Sequence, residues 1–179
     1  LLSLVKSIIK ANNEAQLKET FTYLSNYSVS PFITSESVKI ALEYVKGIKS
    51  EKEKIDLMMP ILVYIYPYEN LSTQYDKEKA EFIELCEKSN HYYELSQYYL
   101  KCEEKSPYDF NSHTPQERLV YSLTIGEACV KAGDKAAAKN WNFKAHNNYY
   151  PGSLSFAIKM RYNEFKANFS SLTDRFDDA

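Results

Sequence analysis

The chain has 179 residues, of which 22 are basic and 24 acidic, for a formal charge of −2, and 44% are apolar. That length can bury one sizeable core, and the near balance of charge argues against a nucleic-acid surface. The longest apolar run, Leu57–Tyr66, is too short to span a bilayer, and 4 Gly and 6 Pro leave few strict turns, which favours long helices over many short strands.

Residues 1–11 read as a short helix broken at Asn12-Asn13. Asn13 can cap a helix to about Tyr27, in which Leu17, Phe21 and Leu24 share one face. Ser28–Pro31 reads as a connection. Thr34 or Ser35 caps a helix to about Lys49, with Val38, Ala41, Leu42 and Val45 as its buried stripe. Ser50 opens the next helix with capping-box spacing to Glu53. Pro60 should kink that helix or start a new turn. The tail Ile61–Tyr66 has the composition of a strand, but no partner strand is in sight, so a buried helix is the reading.

Pro67–Ser72 reads as a turn, followed by a helix over 73–88 with Tyr75, Phe82, Leu85 and Cys86 inward. Ser89-Asn90 separates it from a helix over 91–105, with Tyr92, Leu95, Tyr99 and Cys102 inward. Residues 106–113 are the longest loop. Thr114-Pro115-Gln116-Glu117 is the clearest helix start, with a Thr cap, Pro at the first position and Glu closing the box. That helix ends at Gly133, Asp134 caps the next, and Pro151-Gly152 stops it. A last helix runs from 153 to about 169. Residues 171–179 form a polar tail to one domain over 1–170.

The starts recur. First helices of successive pairs begin near 34, 73, 114 and 153, and second helices near 13, 50, 90 and 134. A period near 40 residues is the mark of an all-α solenoid of about four antiparallel hairpins, each burying its apolar face on its neighbours.

Residues 119–152 resemble a tetratricopeptide repeat, on Ile125, Gly126, Ala138, Ala145 and a closing Pro151. Gly126, Ala138 and Ala145 stand where such repeats need small residues for close helix packing. Ser122 replaces a frequent Trp, and Asn142 holds the usual aromatic position, flanked by Trp141 and Phe143. The other hairpins lack these landmarks and are degenerate units or HEAT-like pairs. The resemblance implies a scaffold that holds a peptide or protein on a face lined by first helices. Here that face is near Val120, Leu123, Glu127 and Val130. The Lys/Asn carboxylate clamp of some members is not matched by Leu123 and Glu127, which points to an apolar or basic ligand.

Catalytic chemistry finds little support. Cys86, Cys102 and Cys129 are odd in number and widely spaced, which reads as reduced buried thiols of a cytoplasmic protein and not as a disulfide framework. His91 lies five residues after Cys86, about 140° around an ideal helix, with no further ligands for zinc. His113 reads as a loop residue and His146 as one on a polar face. No nucleophile–base–orienter set, phosphate loop or G-x-S-x-G can be assembled. Lys139, Trp141, Phe143, Lys144 and His146 interleave basic and aromatic residues as single-strand binders do. Helical spacing explains these aromatics as packing: Ala137, Trp141, Ala145 and Tyr149 on the core, and Ala136, Phe143 and Tyr150 on the next hairpin.

The expectation is a non-catalytic protein- or peptide-binding module without a cofactor, metal, direct nucleic-acid contact or membrane span. Glu127, Val130, Lys131, Arg161 and Asn163 are the candidate binding residues. The alternatives are the sensor domain of a peptide-responsive regulator, since the chain starts at Leu1 and reads as a fragment or processed form, or a structural subunit of a larger complex.

Overall fold

A computed structural model describes residues 1–27 and 31–174, and among these all regular structure is helical. The α-helices are α1 Leu2–Lys10, α2 Glu14–Tyr27, α3 Pro31–Lys46, α4 Glu51–Ile65, α5 Glu69–Gln74, α6 Asp76–Lys88, α7 Tyr92–Lys105, α8 Pro115–Ala132, α9 Lys135–Asn147 and α10 Phe156–Asp174. Short 3-10 turns occupy Phe110–Ser112 and Pro151–Ser153. The fold is all-α, and no described helix is long and apolar enough to cross a membrane.

The strongest local signals act as their chemistry dictates. Thr114 Oγ1 accepts from the Glu117 N–H at 3.3 Å, and Glu117 Oε2 accepts from the Thr114 N–H at 2.8 Å, which closes the box that opens α8. Gly133 takes φ +75° after α8. There the Gly133 N–H reaches Val130 O at 3.1 Å and the Asp134 N–H reaches Cys129 O at 3.0 Å. Those two bonds satisfy carbonyls that the helix end leaves open. The Asp134 carboxylate then accepts from the Ala137 N–H at 3.0 Å and starts α9.

The same turn recurs without glycine. Asn12 has φ +49° and Asn90 φ +59°. Behind them the Asn13 N–H reaches Ile8 O at 3.1 Å, and the His91 N–H reaches Cys86 O at 2.8 Å. Asparagine tolerates this left-handed backbone because its short amide can bond locally. Three helix pairs, α1/α2, α6/α7 and α8/α9, are thus joined by one turn geometry. Gly133→Ala should cost about 1 kcal/mol, since a Cβ at this φ is strained. Asn90→Gly should leave the urea midpoint unchanged or raise it slightly.

Several boundaries differ from expectation. α3 begins at Pro31, ahead of Thr34 and Ser35, because a proline at the first helical position forgoes only an N–H that would be unpaired anyway. Residues 28–30 of the expected connection lie outside the described residues. α4 runs unbroken from Glu51 through Pro60 to Ile65, so the apolar run is helix, and burial on neighbours offsets the lost backbone bond. Ile61, Leu62, Val63, Tyr64 and Ile65 are all buried, on every side of the helix. The stretch read as a turn after Pro67 holds the short α5, and the next long helix starts at Asp76 instead of 73. α10 continues beyond 169 to Asp174, and the rest of the polar tail lies outside the described residues.

The helices form two compact units. The first comprises residues 1–94 with Lys101–Pro107, the second Leu95–Leu100 with residues from Tyr108 on, so α7 contributes to both. In the first unit α1 packs on α2 and α3, α2 on α4, and α3 on α4. Two hairpins therefore lie side by side, first helix on first and second on second. α6 also packs on α4, with α5 between them in the chain. The expected stripe Val38, Ala41, Leu42 and Val45 is buried, as are Leu17, Phe21 and Leu24. Lys18–Asp56 (3.2 Å) joins α2 to α4, and Lys54–Glu81 (2.7 Å) joins α4 to α6.

In the second unit α8 packs on α9, and α10 on both. Ile125, Cys129, Ala138 and Trp141 form one part of the core; Leu119, Leu123, Ala145, Leu154, Tyr162 and Phe165 form another. Gly126 lies at a tight approach of these helices: a Cβ there would stand 2.8 Å from Phe165 Cζ and 3.4 Å from Trp141 Cβ. Phe143 and Tyr150, expected to pack on a further hairpin, are 64% and 55% exposed in this unit. Phe143 lies two residues from both Trp141 and Ala145, about 200° around α9, on its outer side, and Tyr150 lies beyond the end of α9.

All three cysteines are free and buried. Burial pushes the Cys86 and Cys129 thiols up to about 12 from an ordinary 9.0. Above pH 9 the unfolded thiol loses its proton while the folded one keeps it. Stability is thus intact below the ordinary value and falls as pH rises from 9 towards 12, by at most about 1.4 kcal/mol per pH unit per thiol. Urea titrations from pH 8 to 11 should show this decline, and Cys86→Ala/Cys129→Ala should make it shallower. The native thiols should also resist alkylation until the chain unfolds.

Candidate peptide-binding cleft

α8 and α10 run side by side and leave between them a cleft of about 280 Å³. Its wall on α8 is Glu127, Val130 and Lys131, at helical spacings of 3 and 4 from the first residue. On α10 it is Arg161, Glu164, Phe165 and Asn168, at 3, 4 and 7. Phe165 is 1% exposed and forms part of the floor. The volume lies near the lower end of ligand pockets, which suits one or two anchoring side chains.

The charges are organised. Arg161 Nε donates to Glu127 Oε1 at 2.8 Å, and its Nη2 donates to Glu127 Oε2 at 2.7 Å. The same Nη2 donates to Thr124 Oγ1 at 3.0 Å, and Thr124 in turn donates to Val120 O. A bidentate pair of this kind fixes direction as well as charge. Glu127 holds the Arg161 guanidinium above its usual value, against an opposing effect of burial. Lys131 and Glu164, one on each helix, are exposed at the rim.

Four of the five residues expected from sequence, Glu127, Val130, Lys131 and Arg161, thus line one cleft. Asn163 is exposed and outside it. Two residues after Arg161 is about 200° around the helix, so Asn163 points elsewhere. Glu164, Phe165 and Asn168 were missed, although the same spacing from Arg161 identifies them. Leu123 corrects the expected groove: it is 0% exposed and packs in the core with Leu119, Ala145 and Phe165. Its neighbours on that face of α8 are apolar and meet α9 and α10, so it cannot contact a ligand. Glu127 is also engaged by Arg161, which removes the reason for expecting a basic ligand.

The histidines serve local structure. Ser89 Oγ donates to Leu85 O at 2.6 Å, so His91 Nδ1 at 2.8 Å from that oxygen is the donor to it. This polarity is the reverse of what activates a serine. His113 Nδ1 lies 2.8 Å from Asp109 O, and its ring stacks on Tyr108. His146 Nδ1 lies 3.0 Å from the Tyr162 hydroxyl. Among the described residues no three His, Cys, Asp or Glu side chains gather as a metal site would need. Trp141 is 1% exposed, with the Lys144 ammonium 3.7 Å from its ring centroid, so its face is closed to a stacking base.

No family model, curated protein or solved structure matches this chain.

Proposed function

We propose that the chain is a non-catalytic helical-repeat module that binds a peptide or protein segment in the cleft between α8 and α10. One observation carries this reading. The lining comes wholly from α8 and α10, two successive first helices, which is the side where a tetratricopeptide-like scaffold holds its ligand. Gly126 adds support, because only a residue without a side chain lets α8 meet Phe165 and Trp141 so closely. Within each unit the like-on-like or layered packing of helices is that of stacked repeats, in keeping with an α-solenoid. A fixed Arg161–Glu127 pair makes a rigid wall, Val130 and Phe165 an apolar floor, and Lys131 with Glu164 a rim of mixed charge. The fitting ligand is a peptide with one apolar anchor and charges on both sides of it. Three free thiols support a reducing, cytoplasmic setting.

Peptides selected from a random library should bind with micromolar affinity. Lys131→Glu and Glu164→Lys should each weaken them about tenfold, roughly 1.4 kcal/mol, with unchanged circular dichroism. Selected peptides that bind both variants as they bind the parent would remove this reading.

A structural role in a larger assembly is favoured by a separate observation. On α10, Phe156 and Met160 stand one turn apart and are 77% and 51% exposed. Together they offer an apolar contact that a partner protein would cover. A photo-reactive residue at 156 that captures one stoichiometric protein would support that role; only solvent adducts would oppose it.

A further inference from the structure

The first unit holds a second cleft, of about 290 Å³, independent of the reading above. Met59, Pro60 and Val63 of α4 line one side of it, and Lys101, Glu104 and Lys105 of α7 another. Lys101 and Lys105 are four residues apart on a helix, so their ammonium groups are neighbours. Among the described residues neither has an ion pair or hydrogen bond. Lys18, also on the lining, is already neutralised by Asp56 at 3.2 Å. The cleft is therefore left with two uncompensated cations against the single carboxylate of Glu104.

Two locally unfavourable choices meet at this place. Like charges four apart weaken a helix by a few tenths of a kcal/mol. The carbonyl dipole at the end of α7 accommodates cations, but it does not account for an apolar recess facing them. Pro60 forgoes a backbone bond in the interior of α4, a choice that costs about 3 kcal/mol in an ordinary helix. Local rules broken together at one site are expected at functional or strained places in a fold.

We propose that this cleft docks an acidic peptide segment, with one apolar side chain against Met59, Pro60 and Val63 and flanking carboxylates on Lys101 and Lys105. The probe is a fluorescein-labelled decapeptide of aspartate and glutamate around a central leucine, titrated against the whole chain by anisotropy. Saturable binding is expected, weakened about tenfold by Lys101→Glu/Lys105→Glu and weakened by Met59→Ser. Lys10→Glu/Lys52→Glu, the same change of charge elsewhere on this unit, should leave it unaltered. Thermal melts confirm that each variant folds. Equal binding by the double variant at Lys101 and Lys105 overturns the proposal. So does equal binding of a peptide with glutamine and asparagine in place of the acids, equal competition by an oligothymidylate of the same charge, or no binding at all.

Discussion

Trp141→Ala should lower the free energy of unfolding by about 3–5 kcal/mol, measured by urea denaturation. Trp141 is the only tryptophan, and it is 1% exposed. It packs with Ile125, Cys129 and Ala138, and Tyr121 meets its ring nearly edge-on at 5.8 Å between centroids. The Lys144 ammonium closes the remaining face. Truncation removes the transfer energy of a large aromatic and leaves a cavity between α8 and α9 that a close-packed hairpin refills only in part. Trp141→Phe keeps part of the contact and should cost less than half as much. A loss below about 1 kcal/mol for the alanine variant would mean that Trp141 is not the centre of this core.

The second large effect comes from the opposite change. Gly126→Val should destabilise by about 2–3 kcal/mol. The new Cβ would stand 2.8 Å from Phe165 Cζ and 2.9 Å from Cε2, closer than atoms can pack. Phe165 is itself buried, so its ring cannot swing into solvent. Helix propensity favours replacement of glycine by about 0.5 kcal/mol, which is too little to offset the overlap. Phe165→Leu removes the ring atoms that collide. Gly126→Val/Phe165→Leu should therefore be less destabilised than the sum of the two single changes. Strict additivity would show that the contact does not limit the approach of α8 to α10.

Both effects were partly legible in the sequence. Gly126, Ala138 and Ala145 were expected as close-packing positions from the resemblance to a tetratricopeptide repeat, and Trp141 as a core residue from its four-residue spacing with Ala137, Ala145 and Tyr149. Thr114 to Glu117 and Gly133-Asp134 were legible because each cap is made by residues within four positions of it. The turns at Asn12 and Asn90 were seen only as breaks. Asparagine reads as a cap as readily as a left-handed residue, and only the observed φ values distinguish the two.

What the sequence could not supply was which face of α8 meets which neighbour. Leu123 and Glu127 are four residues apart and were placed in one groove. In the fold Leu123 lies in the core, and Glu127, half-buried, reaches Arg161, 34 residues later in the chain. A small difference in helix rotation decides between those outcomes, and tertiary packing sets it. The Arg161 pairing also could not be read from spacing, although Glu164, Phe165 and Asn168 could have been once Arg161 was chosen. Phe143 and Tyr150 were assigned to a further hairpin by periodicity alone. Periodicity identifies a face, but it does not guarantee that anything covers it.

Peptide binding in the cleft between α8 and α10 can be followed by titrating ¹⁵N-labelled chain with a library-selected peptide and recording amide chemical shifts. Binding there should move the amides of Val130, Lys131, Glu164 and Asn168 most and leave those of α9 and α1 unmoved. Shifts confined to other residues, or a chain from which no peptide can be selected, would contradict it.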